Sequence, residues 1–418
     1  MRFIKVILTF LLLTLLIAGC KPEPVNLNFQ KILLGDDVLT GEQLNLLSNK
    51  KVGIITNQSG VLSNGAHIVD TLISLGIPIR AIFSPEHGFR GNVQGGKAVH
   101  SYHDSITGLP VYSLYGKTRK PTKSMLKNID LLLFDIQDIG ARYYTYISTL
   151  YYSMEAAAEQ NLEFIVLDRP NPISGAKVEG PVLNPVYKSF VGIAQIPIRY
   201  GLTVGELALL FKKYIKNKLD RPVNLKIVKL KNWDRNSYFD QLGLPWIKPS
   251  PNIVNIEAEI VYPGMCLLEG TNVSEGRGTF EPFLKIGAPF INSNLLIIEL
   301  KNLNINGIEF YPASFTPKTI PGMTYHPKFE NQKCFGIKIV VTNRKIFNSV
   351  QFGIHLLYAL KKLYPAKFKI NTSRLNRLFG DNYLTEMLNS GKNSYEIIAR
   401  WQSGLENFLN FRKRFLIY

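Results

Sequence analysis

IRAIFSPEHGFRGNVQGG, residues Ile79 to Gly96, is the stretch from which the rest of the chain can be read. An apolar run, Ile79-Arg80-Ala81-Ile82-Phe83, breaks at Pro85 into a loop carrying Glu86, His87 and Arg90 among Gly88, Gly91, Gly95 and Gly96. An apolar strand emptying into a glycine-rich polar loop is how an open α/β sheet presents chemistry at the carboxyl ends of its strands. Proline favours a bend before Glu86, and glycine allows close backbone approach by a ligand. The plainer reading is a surface loop whose charges are solvated.

Working outward, the pattern repeats. Lys51 to Asn57 is an apolar strand that turns polar at Thr56, and Leu109 to Leu114 is another strand-like element. Asp130 to Ile136 is a continuous apolar run suited to a strand covered on both faces, and Phe164 to Leu167 is similar. Segments of helical spacing, His67 to Leu75 and one ending at Gln160, lie between them. Strands alternating with helices predict a mainly parallel, Rossmann-like sheet with crossover connections. Four strand ends deliver polar clusters: Asn57; Glu86, His87 and Arg90; Asp138, Arg142 and Tyr143; Asp168 and Asn171. One such loop is background. Four predict a site.

Further on, Thr203 and Glu206 have the spacing of a helix capping box, and Leu225 to Leu230 reads as a strand. Trp246 and Pro249-Ser250-Pro251-Asn252 form a rigid aromatic loop, and Leu267 to Thr279 is a second glycine-rich polar loop. From Gly287 the character changes to short β-prone runs (Ile308–Tyr311, Cys334–Val341) and helices (Val350–Leu363, Ser394–Leu409). The expected division is a Rossmann-like domain over residues 31–262 and a smaller α+β domain over 263–418.

The start of the chain is an address. Arg2 and Lys5 precede the apolar core Val6–Ile17, and Ile17-Ala18-Gly19-Cys20 matches the bacterial lipoprotein pattern. Residues 1–19 then read as a signal peptide, Cys20 as the lipidated first residue, and 20–30, with Pro22 and Pro24, as a tether. The expected location is outside the cytoplasm, anchored by lipid to a bacterial membrane and facing the periplasm or the cell surface. What remains is about 400 residues, enough for two or three substantial cores. Only Cys266 and Cys334 follow Cys20, so one bridge at most is open to it. The net charge of +18 favours anionic partners such as acidic polysaccharide or a membrane surface. Export makes nucleic acid the least fitting of these, and none is expected.

No G-x-S-x-G elbow, no phosphate loop and no G-x-G-x-x-G follows the first strand, so serine and nucleotide chemistry lack their parts. His87, His100, His103 and Asp104 are the only dense metal-type cluster; without H-E-x-x-H no metal is expected, and no cofactor either. Carboxylate chemistry fits better. Cleaving a glycosidic bond needs an acid to protonate the leaving oxygen, and often a second group as base or nucleophile. Glu86, after an apolar strand where desolvation would raise its pKa, is the candidate acid. Asp138, Asp168, Glu179, Glu269 and Glu275 are candidate second groups. Arg90, Arg142 and Arg277 suit a substrate carboxylate, or structural ion pairs; Tyr143, Tyr144 and Tyr146 suit sugar faces, or core.

Taken in order, Ser84-Pro85-Glu86-His87-Gly88-Phe89-Arg90-Gly91, Asp135 to Tyr146, Leu167 to Pro172, Glu179-Gly180-Pro181, Glu269 to Thr279 and Pro321-Gly322-Met323 resemble the NamZ-type exo-β-N-acetylmuramidases over nearly the whole chain after the leader. The resemblance implies an active cleft between the two domains and removal of terminal N-acetylmuramic acid from the non-reducing end of peptidoglycan fragments, a MurNAc-GlcNAc disaccharide included. It implies no nucleotide or metal cofactor. Glu86 matches the proposed catalytic acid of the family, and Asn57, His87, Arg90, Asp138, Arg142, Tyr143, Asp168, Asn171, Glu275 and Arg277 are the expected substrate-binding residues. The lactyl carboxylate of muramic acid agrees with arginines near a candidate acid. The substrate's own acetamido group could replace a second carboxylate, and retention or inversion turns on the separation of the catalytic groups. The rival is a non-catalytic, lipid-anchored protein that binds muropeptides in the same cleft.

Overall fold

The apolar runs of the first half lie side by side, because each carries a row of backbone donors and acceptors that only a neighbouring strand satisfies. The structure, a computed structural model, describes residues 31–91, 93, 96–97 and 100–418. The expected leader, Cys20 and the tether lie outside the described residues. After α1 (Gly35–Glu42) come β1 (Val52–Thr56), α2 (Ile68–Ser74), β2 (Ile79–Ser84), β3 (Tyr102–His103), β4 (Pro110–Ser113) and β5 (Leu131–Asp135). Next are α3 (Tyr146–Gln160), β6 (Glu163–Leu167), α4 (Val204–Leu219) and β7 (Asn224–Val228). The strands form one sheet in the order β3-β4-β2-β1-β5-β6-β7, parallel except for the β3–β4 pair. Leaving out β3, this is the doubly wound Rossmann order, which reverses direction between β1 and β5.

Strand residues alternate between the faces. Ile54, Ile82 and Leu133 share a core with Leu39 of α1 and Leu72 of α2. Ile55, Phe83 and Phe134 belong to the core that contains Met154 of α3 and Phe211 of α4. The capping box of α4 forms as expected: Thr203 Oγ1 accepts from the Glu206 N–H at 3.2 Å, and Glu206 Oε2 accepts from the Thr203 N–H at 2.9 Å.

Beyond the sheet, α5 (Ile256–Met265) leads to β8 (Lys285–Ala288), α6 (Ser293–Asn302), β9 (Ile308–Phe315), β10 (Cys334–Val341) and α7 (Ser349–Leu363). The three strands make an antiparallel sheet in the order β8-β10-β9. Helices α8 (Thr372–Phe379), α9 (Tyr383–Asn389), α10 (Ser394–Ala399) and α11 (Gln402–Arg412) follow. The second core face of the large sheet continues without interruption into Tyr262, Phe283, Phe352 and Leu375, and Ile32–Tyr418 is one compact unit. Where α5 crosses α7, a Cβ at Gly264 would lie 1.9 Å from the Ser349 carbonyl oxygen, so only glycine permits this approach.

Two expectations are corrected. Ser394–Leu409 is two helices, α10 and the start of α11, because Trp401 turns into the core between them. Cys266 and Cys334 are buried free thiols, so the bridge left open by the sequence is not formed. Among the described residues no helix is long and apolar enough to cross a membrane.

Candidate active site

The buried strand β2 ends at Ser84, and Pro85 turns the chain so that Glu86 leaves the sheet half-buried. The turn is tight: the Gly88 N–H donates to the Pro85 carbonyl at 3.1 Å, and His87 and Gly88 both take positive φ, 72° and 78°. A left-handed histidine is uncommon, and here it is held by its ring, whose Nδ1 lies 2.7 Å from the Val93 carbonyl oxygen. That contact assigns the proton to Nδ1 and leaves Nε2 as an acceptor. Burial lowers the His87 pKa, so the ring is neutral at neutral pH.

Glu86 is oriented by two neutral donors. Its Oε1 accepts from the Gly96 N–H at 2.8 Å, and its Oε2 from Thr145 Oγ1 at 2.6 Å. Thr145 precedes the first turn of α3 but makes no side-chain cap there; its hydroxyl serves Glu86 instead. Each carboxyl oxygen keeps a second lone pair for a proton or a ligand. Beside it stands the half-buried Tyr115 hydroxyl, pushed up in pKa by burial and then by the Glu86 charge.

Glu86 faces a cleft of about 470 Å³ whose opposite wall is ionic. Arg277 reaches Glu269 at 2.7 Å and Glu275 at 3.3 Å. Arg374 grips the other Glu269 oxygen at 2.7 Å, and Lys328 lies 2.9 Å from Glu275. Lys328 also donates to the Leu268 and Val273 carbonyls, which fixes the loop expected from Leu267 to Thr279. Burial alone would raise the Glu269 carboxyl; Arg277 and Arg374 outweigh it and hold it below the ordinary range. Of the three carboxylates on the cleft, Glu86 is the one with no cation at ion-pair distance among the described residues.

Among the residues singled out by sequence, Glu86, His87, Tyr143, Tyr144, Glu269, Glu275 and Arg277 line the cleft; Asn57, Arg90, Asp138, Arg142, Asp168 and Asn171 do not. The second set is bonded within the chain, although Asn57 Nδ2, Asp138 Oδ1 and Arg142 Nε are buried with no hydrogen-bond partner among the described residues. Arg142 is fully buried and donates to the carbonyls of Pro181, Ile196, Leu378 and Phe379 at 2.7–3.2 Å. Asp168 accepts from Thr203 Oγ1, the Gly205 N–H and the Tyr418 hydroxyl, each within 2.8 Å. Asp138 accepts from the Tyr200 hydroxyl and the Gly140 N–H, and burial pushes its carboxyl up to about 7. Asn57 accepts from Ser59, Asn171 bridges Ile173 and Leu202, and Arg90 Nη2 donates to both carboxylate oxygens of Asp104. Of the candidate second groups, Glu179 is buried against Arg199, leaving Glu269 and Glu275 on the cleft. His103 lies on β3 with Nδ1 near the Gly108 carbonyl, and no three metal-type side chains converge among the described residues.

Comparison with known proteins identifies the family. Residues 52–257 match the family described as exo-β-N-acetylmuramidase NamZ, N-terminal, and residues 260–418 its C-terminal counterpart. The chain belongs to the NamZ family. It is 43% identical over 409 residues to the peptidoglycan β-N-acetylmuramidase NamZ of Bacillus subtilis strain 168, covering 97% of this chain and 96% of that protein. Two crystal structures of DUF1343 family proteins from Bacteroides fragilis are similar, at 35% and 34% identity with TM-scores of 0.85 and 0.75. Each comparison covers 93% of this chain and 99% of the solved one.

Several cleft residues of this NamZ-family chain escape sequence reading. Thr145 looks like a helix cap, and only the fold turns its hydroxyl to Glu86. Lys328 and Arg374 arrive from separate elements more than 50 residues beyond the glutamates they pair with. Tyr144, by contrast, is one of the tyrosines singled out by sequence for sugar faces or core; it lines the cleft with its hydroxyl buried and without a well-aligned hydrogen bond among the described residues.

Proposed function

We propose that this protein removes terminal N-acetylmuramic acid from the non-reducing end of peptidoglycan fragments, and that Glu86 delivers the proton to the leaving glycosidic oxygen. The observation that carries the assignment is that Glu86 has no cation at ion-pair distance among the described residues. Glu269 is tied to Arg277 and Arg374, which hold its carboxyl below the ordinary range, and Glu275 is paired with Arg277 and Lys328. The Gly96 N–H and the Thr145 hydroxyl orient the Glu86 carboxyl on the cleft, where it is placed to pass a proton to the leaving oxygen as the C–O bond breaks. Water then supplies the oxygen at the anomeric carbon, and the proton it gives up restores the Glu86 carboxyl. The cations of the ionic wall suit the lactyl carboxylate, and Tyr115 offers a neutral hydroxyl to the sugar.

The test is release of free N-acetylmuramic acid from the MurNAc-GlcNAc disaccharide by the parent and by Glu86→Gln. Release by the parent and a loss of at least about a hundredfold in the variant is the expected result. Equal release by both removes Glu86 from the chemistry. A parent that binds the disaccharide without releasing sugar is a wall-binding protein. The lipoprotein pattern at Cys20 supports export and anchoring to a membrane, where such fragments arise. Recovery in the membrane fraction, lost on Cys20→Ser, is the check; equal recovery of both proteins there refutes lipidation.

A further inference from the structure

Next to the cleft lies a second hollow of about 350 Å³. The two share their walls. Val191 lines the cleft while Val186, Lys188 and Ser189 line the hollow; on α8, Arg374 and Leu378 face the cleft while Ser373, Asn376 and Arg377 face the hollow. Their charge is different. The cleft sets three glutamates against its cations, whereas the hollow is lined by Lys188 and Arg377 with no carboxylate.

Lys188 is held by aromatic faces. Its Nζ sits 5.2 Å from the Tyr151 ring centre; Tyr151 meets Tyr152 edge-on, and Tyr152 stacks on Phe190 at 6.1 Å. Phe190 carries Arg119 at 4.7 Å and packs on Tyr115, the tyrosine beside Glu86. A ring positions a cation without cancelling its charge. The ladder therefore links the cations Arg119 and Lys188 to Tyr115 beside Glu86; of the two, Lys188 lines the hollow, where Arg377 also makes no ion pair among the described residues.

We propose that this hollow is a distal subsite for a carboxylated sugar of the glycan chain whose terminal residue occupies the cleft. The inference rests on the muramidase reading. In an alternating chain that sugar is the next muramic acid, two residues inward from the one removed, and its lactyl carboxylate meets Lys188 and Arg377. A disaccharide ends short of it.

The experiment compares kcat and KM for peptide-free MurNAc-GlcNAc disaccharide and the corresponding tetrasaccharide, at low salt, with the parent and the Lys188→Gln/Arg377→Gln double variant. The expected parent KM is at least about fivefold lower for the tetrasaccharide, with kcat alike, as for a remote contact made equally in ground and transition states. The double variant loses that gain, and so does the parent when the inner lactyl carboxyl is amidated. Screening by 0.5 M salt shrinks the gain as well. Equal KM for both lengths, or a gain that survives in the variant or with the amide, overturns the subsite. A larger gain from a tetrasaccharide bearing a stem dipeptide on the inner lactyl group assigns the cations to peptide carboxylates and overturns it too. Failure of the parent to cleave the disaccharide at all is failure of the muramidase reading, and takes the subsite with it.

Discussion

Glu86 at the end of β2 and Asp168 at the end of β6 occupy equivalent places in one sheet and have opposite surroundings. Asp168 is fully buried, and four donors from Arg169, Thr203, Gly205 and Tyr418 fill its carboxylate oxygens. Glu86 is half-buried, takes one donor on each oxygen, and fronts open space. Asp138 and Arg142, after β5, follow Asp168: both are buried and bonded within the chain. A polar group at a strand end is thus available for chemistry only where it fronts open space; Asp138 Oδ1 and Arg142 Nε lack partners among the described residues but are buried. The buried groups hold loops in place.

This contrast can be broken by substitution. The largest expected effect is on stability, from Arg142→Met. Four carbonyls lose a charged donor in the interior, and the free energy of unfolding by urea drops by roughly 3–5 kcal/mol. A variant that unfolds like the parent yet loses turnover would move Arg142 from the frame into the site. Next is the pH dependence carried by Asp138. Its folded pKa, about 7, lies above the unfolded value, so its contribution is full below pH 3.8 and is lost as the pH rises to about 7. Asp138→Asn flattens that limb of the stability curve by on the order of 3 kcal/mol. An unchanged curve from pH 4 to 7 would show that the carboxyl is not desolvated. The smallest effect is on the other side of the contrast: Glu86→Gln, for all its loss of activity, keeps its unfolding free energy within about 0.5 kcal/mol of the parent. A large drop would mean that Glu86 also carries the fold.

The sheet was legible because its signal is local. Leu131 to Asp135 and Glu163 to Leu167 are short apolar runs with nothing to do but be covered on both faces. Glu86 was legible for the same reason, standing directly after such a run. The ionic wall was only half legible: Glu269, Glu275 and Arg277 fall in one loop, but Lys328 and Arg374 join them through tertiary folding. Asp168 and Asn171 misled for a physical reason. A buried carboxylate serving as a hub for Thr203, Gly205 and Tyr418 has the same sequence appearance as one waiting for substrate, because its partners lie up to 250 residues away.

Arg142 has a bearing on motion. Its guanidinium joins the loop after β5 to Pro181, Ile196 and the end of α8, the helix whose Arg374 lines the ionic wall. Swinging that wall outward as a rigid body would strip the guanidinium from the Leu378 and Phe379 carbonyls in the interior. At about 3 kcal/mol or more, that places the swung-out form below roughly one molecule in a hundred. Substrate therefore meets a cleft already at its working width, and exchange of sugar with solvent is left to side chains and surface loops, on their faster clock.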